Sequence, residues 1–166
     1  MSLLNPNPQT TYPAQHAITR TAQVQLIPTI TASSAYVANN SVGGKLTFAN
    51  VAGAQQSGII QNITVASKSA QTTGYKLYIF TGNPTVTTIA DKATPALSNT
   101  DLPYLMDVFT LGSSDSTLGP TINVLDNIGR AFVSQNQNLY GILVTNATPT
   151  YTTSTDIFVT LTVLQD

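Results

Sequence analysis

From Gln23 to the C-terminus, apolar residues return at every second position in short runs bounded by Gly, Pro, Asn and Asp clusters, and no long stretch repeats at 3.6. A chain with that period builds sheets. The last run, "TDIFVTLTVLQD", places Ile157, Val159, Leu161 and Val163 on one face and Phe158, Thr160, Thr162 and Leu164 on the other. The first set makes a core face. The second is uncharged, offering hydroxyls, methyls and a Phe where a strand facing water ordinarily carries Lys, Glu or Asp.

The same criterion predicts about eight strands. They are Gln23–Pro28 (Val24 and Leu26 inward), Gly43–Asn50 (Leu46, Phe48), Ile59–Ala66 (Ile59, Ile63, Val65), Gly74–Thr81 (Tyr75, Leu77, Ile79), Leu105–Leu111, Thr121–Leu125, Arg130–Gln135 and Asn138–Thr145 (Tyr140, Ile142, Val144). Asp156–Gln165 closes the chain as a ninth or alternative eighth. Turn chemistry separates them, in "TGNPT", "LGSSDSTLGP", "SQNQN" and "NATPTYTTST". Only "SNTDLPYL" hints at helix, where Ser98, Asn99 or Asp101 would cap one short turn. Strands without long helices make an all-β, antiparallel β-sandwich or barrel. Connections as long as Thr81–Pro103 favour the sandwich of jelly-roll type over a hairpin meander. Residues 1–21, interrupted by Pro6, Pro8 and Pro13 and lacking any hydrophobic period, form an extended arm, and 22–166 form one domain.

Charge narrows the function classes. Only 8% of residues are ionisable as Asp, Glu, Lys or Arg, against about 25% in an ordinary domain. The cations Arg20, Lys45, Lys68, Lys76, Lys92 and Arg130 never cluster, so phosphate backbones find no footprint and no nucleic-acid partner is expected. No apolar run approaches the roughly 20 residues of a bilayer helix, and the opening lacks the basic and apolar regions of a signal peptide. A cytoplasmic site of synthesis without a membrane partner is expected.

Catalytic groups are scarce. Cys is absent and His16, the sole imidazole, lies in the arm, far from any strand-borne Ser-His-Asp arrangement. Of the seven Asp residues, Asp115 stands between two Ser and Asp126 beside Asn, where a carboxylate caps its own turn. "VGGKLT" departs from a phosphate loop because Leu46 stands where a hydroxyl is needed, and Gly43 and Gly44 read instead as a turn or bulge feeding a strand. "SSDSTLG" offers one carboxylate to a cation. No enzyme, cofactor or metal site is expected.

What remains for uncharged faces is contact with protein, because interface cores are depleted of charge and favour Tyr. The candidate contact residues are Pro6, Pro8 and Tyr12 in the arm, with Tyr78, Phe80, Tyr151, Phe158, Thr160 and Thr162 on the strands and loops. A neutral surface invites association unless it is already occupied. The protein is expected to be permanently assembled.

The segments "GKLTFANVAGAQQSGIIQNITVASKSAQTTGYKLYIFTGNPT", "IADKATPALSNTDLPYLMDVFTL" and "LYGILVTNATPTYTTSTDIFVTLTVLQD", with the patterns "LxxFxxNPT", "DLPxL" and a "VLQD" ending, carry a resemblance over residues 22–166. The chain resembles the capsid decoration, or cement, proteins of tailed bacteriophages, small virion proteins encoded near the major capsid protein. That resemblance implies a β-sandwich on the capsid exterior, commonly a homotrimer, bridging capsomers of the major capsid protein. It implies no catalytic residues. The alternative is a head-fibre or tail-fibre module binding a receptor glycan through Tyr104 or Tyr151, and a carboxylate hydrolase stands third.

Overall fold

The computed structural model describes residues 20–85, 87–112 and 114–165. The alternation becomes β1 (Arg20–Leu26), β2 (Ser41–Phe48), β3 (Ser57–Ser67), β4 (Tyr75–Phe80), β5 (Leu105–Leu111), β6 (Thr121–Leu125), β7 (Arg130–Val133), β8 (Leu139–Thr145) and β9 (Ile157–Gln165). Among the described residues the only helical element is a 3₁₀ turn at Leu102–Tyr104. Pro6, Pro8, Tyr12 and His16 lie outside the described residues, and β1 already includes Arg20 and Thr21 from the end of the expected arm.

The strands form two antiparallel sheets. The first runs β1-β9-β3-β6, with β7 also paired to β3, and the second runs β2-β8-β4-β5. Their facing sides enclose one core, in which Phe48, Ile63, Leu77, Leu143, Val159 and Leu161 have no more than traces of exposure. In β9 the inward and outward sets are those the alternation predicts: Ile157, Val159, Leu161 and Val163 are buried, while Phe158, Thr162 and Leu164 are half-buried.

Two inward assignments need correction. In β3 the residue turned to the core is Ile60, not Ile59, because the register with β9 shifts between Ile60 and Asn62. One extra residue in the strand reverses the phase, so even numbers face in before the bulge and odd numbers after it. Gly58 sits on that inward side because a Cβ there would stand 2.7 Å from the Leu164 carbonyl oxygen and 2.8 Å from Val163. In β8, Leu139 and Leu143 face the core, whereas Tyr140, Ile142 and Val144 belong to a second apolar cluster on the outer side of the sheet. Every residue of β8 is buried. Alternation cannot tell inside from outside in a strand covered on both faces.

Three tyrosines close one end of the core. Tyr36, Tyr75 and Tyr151 are each 1% exposed or less. Tyr36 meets Tyr151 edge to face at 5.2 Å between ring centroids, and the hydroxyls of Tyr75 and Tyr151 lie 3.1 Å apart. Burial pushes the Tyr75 phenol up to about 12, and raises Tyr151 further. Both stay neutral.

The Tyr36 hydroxyl leads outward to Asp91. That carboxylate accepts hydrogen bonds from Tyr36 Oη, Thr31 N, Thr31 Oγ1 and Gly43 N, all at 2.7–2.8 Å. It ties the β1–β2 loop and the Gly43–Gly44 bulge to the β4–β5 connection. Burial alone would raise its pKa, but donation from Thr31, Gly43 and Tyr36 outweighs that and leaves it below the ordinary carboxylate value. Asp156, bonded by Ser69 and Thr152, is depressed for the same reason. A depressed folded-state pKa adds stability that is complete above the unfolded value of about 4 and disappears as the pH falls below it. Asp91→Asn should therefore lower the urea midpoint at pH 7, and the gap from the parent should narrow by pH 3. A gap that stays constant over that range would remove Asp91 from the linkage.

Candidate functional site

The outward positions of the first sheet form one continuous face. Register places Gln23 beside Thr162 and Asn62, Gln25 beside Thr160 and Thr64, and Phe158 beside Ala66 and Ile122. None of the outward strand positions is ionisable. Lys68 and Asp126 stand at the margins: the Lys68 ammonium lies 5.1 Å above the Phe158 ring, and Asn62 Nδ2 donates to Asp126 Oδ1. Thr160 is 9% exposed, with Gln25 Nε2 donating to its hydroxyl at 3.4 Å. It contributes position rather than area.

The side of that face carried by β6 and β7 is apolar. In β6 the usual polarity is reversed: Thr121 and Asn123 point inward and are at most 1% exposed, while Ile122 and Val124 point out at 42% and 46%. The reversal has a local cause. Asn123 Nδ2 donates to the carbonyls of Thr73 and Gly112 at 3.0 and 2.8 Å, and Thr121 Oγ1 receives Gln71 N at 2.6 Å. These side chains satisfy loop backbone that would otherwise be buried without partners. On β7, Phe132 faces in and Val133 faces out at 72% exposure. Sequence reasoning missed Ile122, Val124 and Val133, although two apolar residues alternating with two good hydrogen-bonding residues left both phases open.

The outer side of the second sheet is covered over β8 and the end of β4, while Val108 and Thr110 on β5 stay exposed. The long β4–β5 connection folds across it, packing Ile89 and Tyr104, with Leu105 at the start of β5, against Phe80, Tyr140, Ile142 and Val144. Asp101, 1% exposed, holds the connection through hydrogen bonds from Thr87 N, Thr87 Oγ1 and Thr85 N. It occupies the N-cap position of the 3₁₀ turn without making a side-chain cap bond. A cleft of about 270 Å³ remains, lined mainly by Tyr78, Phe80, Pro95, Leu97, Ile142 and Val144.

The candidate contact residues therefore divide. Phe158 and Thr162 share the open face, and Tyr78 lines the cleft. Tyr151 is fully buried and offers no surface to a partner, and Phe80, equally buried, only borders that cleft. Tyr151, a contact candidate by sequence, instead fills the core end between Tyr36 and Tyr75. Tyr104 is half-buried under the connection.

Among the described residues no group of three or more His, Cys or Asp side chains is placed to hold a metal ion. The one ion pair among them, Arg130 Nε to Asp107 Oδ2 at 3.1 Å, is half-exposed and joins the two sheets at an edge. No protein-family model, curated protein or solved structure matches the chain.

Proposed function

We propose that this chain is a structural virion protein, a capsid decoration protein of jelly-roll fold that stabilises a phage head by bridging subunits of the major capsid protein. The fold reading follows from strand order. β6 and β7 pair with successive halves of β3, so they act as one interrupted strand. Counted so, the orders β1-β9-β3-β6/β7 and β2-β8-β4-β5, in which only β4 and β5 follow one another within a sheet, support a double Greek key of jelly-roll type.

The observation that carries the functional reading is the reversed polarity of β6. A strand that buries Thr121 and Asn123 and turns Ile122 and Val124 to solvent needs something to cover those apolar groups. The neighbouring uncharged positions extend the patch without the desolvation cost that charges would impose. The protein acts from the capsid exterior as a homo-oligomer, and many linked contacts make release rare. No observation favours the glycan-binding alternative, since Tyr151 is inside the core.

Heads lacking the protein test this directly. Added wild-type chain should bind them and raise their melting temperature. Ile122→Lys with Val124→Lys should weaken that binding by about 100-fold or more, since two apolar anchors are lost to charge, while the free protein keeps its fold. Indifference of the heads to wild type, or equal binding by the double variant, would sink the reading.

A further inference from the structure

Two sheets present four lateral edges, and three of them carry a device against pairing with another chain. Along β2, the register breaks between Ser41 and Lys45, and Ser41 is bonded in both directions by Ala93 and Lys92 of the β4–β5 connection. Along β5, the register shifts where Ile79 gives way to Phe80, and Arg130 reaches across to Asp107 and the Met106 carbonyl. Along β6, Asp115 exchanges two backbone hydrogen bonds with Ile122, and β7 beside it is only four residues long.

The fourth edge is different. β1 pairs with β9 through seven consecutive positions without a register shift. It contains no Pro, and its single charge is Arg20 at one end. Among the described residues nothing bonds to its far side. Its core-facing residues, Val24 and Leu26, are only half-buried. A regular edge with one terminal charge and incompletely covered apolar residues is a template for one more strand.

We propose that β1 pairs with β1 of a second copy of this chain, antiparallel and centred on Gln23. Parity restricts the register, and full overlap of the two strands selects it. Residues directly opposite each other share a face, so the two cores lie on the same side only if paired residue numbers sum to an even value. Full overlap of Arg20–Leu26 gives Arg20 opposite Leu26, Thr21 opposite Gln25, Ala22 opposite Val24, and Gln23 opposite itself, which meets that condition. Charge agrees with it. The two Arg20 side chains fall at opposite ends, about 20 Å apart at roughly 3.4 Å per residue, beyond the Debye length of about 8 Å at physiological salt. Gln23 meets Gln23 across the axis without like-charge repulsion, and the paired five-stranded sheets become continuous.

This contact does not rest on the decoration-protein reading, and it makes the free protein a dimer where the resemblance implies a trimer. A single strand pair buries less than a standard interface, so dissociation in the range of about 10 µM is expected. Sedimentation equilibrium of the full chain between about 1 and 100 µM, the range bracketing that affinity, should show monomer passing to dimer. Gln23→Lys places two ammonium groups side by side on the axis and should weaken association at least ten-fold. Thr21→Lys, whose two ammonium groups would stand about 14 Å apart at roughly 3.4 Å per residue, should act far less, and Thr110→Lys, exposed on β5, should have no effect. A monomer at all concentrations, a trimer, or a dimer indifferent to Gln23→Lys would overturn the proposal. Head binding by Gln23→Lys is read separately, so edge pairing and decoration fail or stand independently.

Discussion

Tyr151→Ala should destabilise the protein by about 3–5 kcal/mol, the range for removing a large side chain from a closed core. The ring has no exposed surface, and its loss opens a hole bordered by Tyr36 and Tyr75. Tyr151→Phe isolates the hydroxyl. It keeps the packing but leaves the hydroxyl of Tyr75, a residue 1% exposed, without the partner at 3.1 Å, at a cost of about 1–2 kcal/mol. Urea unfolding of both variants distinguishes a core residue from a contact residue. A loop Tyr waiting for a partner would change stability by less than about 0.5 kcal/mol when truncated, and such a result would return Tyr151 to the surface. The ordering of the two variants also matters: packing should dominate the hydroxyl, because water competes for the hydrogen bond but cannot replace the ring.

The strands were legible because alternation and turn chemistry are local. β5 and β6 begin and end where the sequence places them, and β9 divides its two faces as predicted. The side of the sheet each set faces was less legible, because that is decided by what lies across from it. In β3 a single bulge residue moved Ile59 outward. In β8 a distant connection buried Tyr140, Ile142 and Val144 on the side away from the core. In β6 the loop carbonyls of Thr73 and Gly112 drew Asn123 inward and sent Ile122 and Val124 out. Each case is a non-local contact overriding a local pattern. The uncharged outer face of β9 was readable from composition, whereas its apolar extension onto β6 and β7 required the fold.

Asp101→Ala should cost about 2–4 kcal/mol and act chiefly on one region. A carboxylate buried to 1% exposure is maintained by the donors around it, and here they include both the amide and the hydroxyl of Thr87, with the Thr85 amide at 3.3 Å. Truncation removes charge-assisted bonds and leaves Thr87, 8% exposed, with donors that water reaches only if the connection opens. Opening uncovers Phe80, Tyr140, Ile142 and Val144 without breaking the β3–β9 pairing in the other sheet. The variant should therefore bind a hydrophobic dye before it unfolds and be cut by protease between β4 and β5. Amide exchange should accelerate at Thr85 and Thr87 while the β9 amides stay protected. Asp101→Asn keeps one acceptor and should recover part of the loss. Uniform weakening of both sheets without dye binding would mean that the connection and the core melt as one unit. In that case Asp101 would be a core anchor, and the cleft beneath the connection would have no independent hinge.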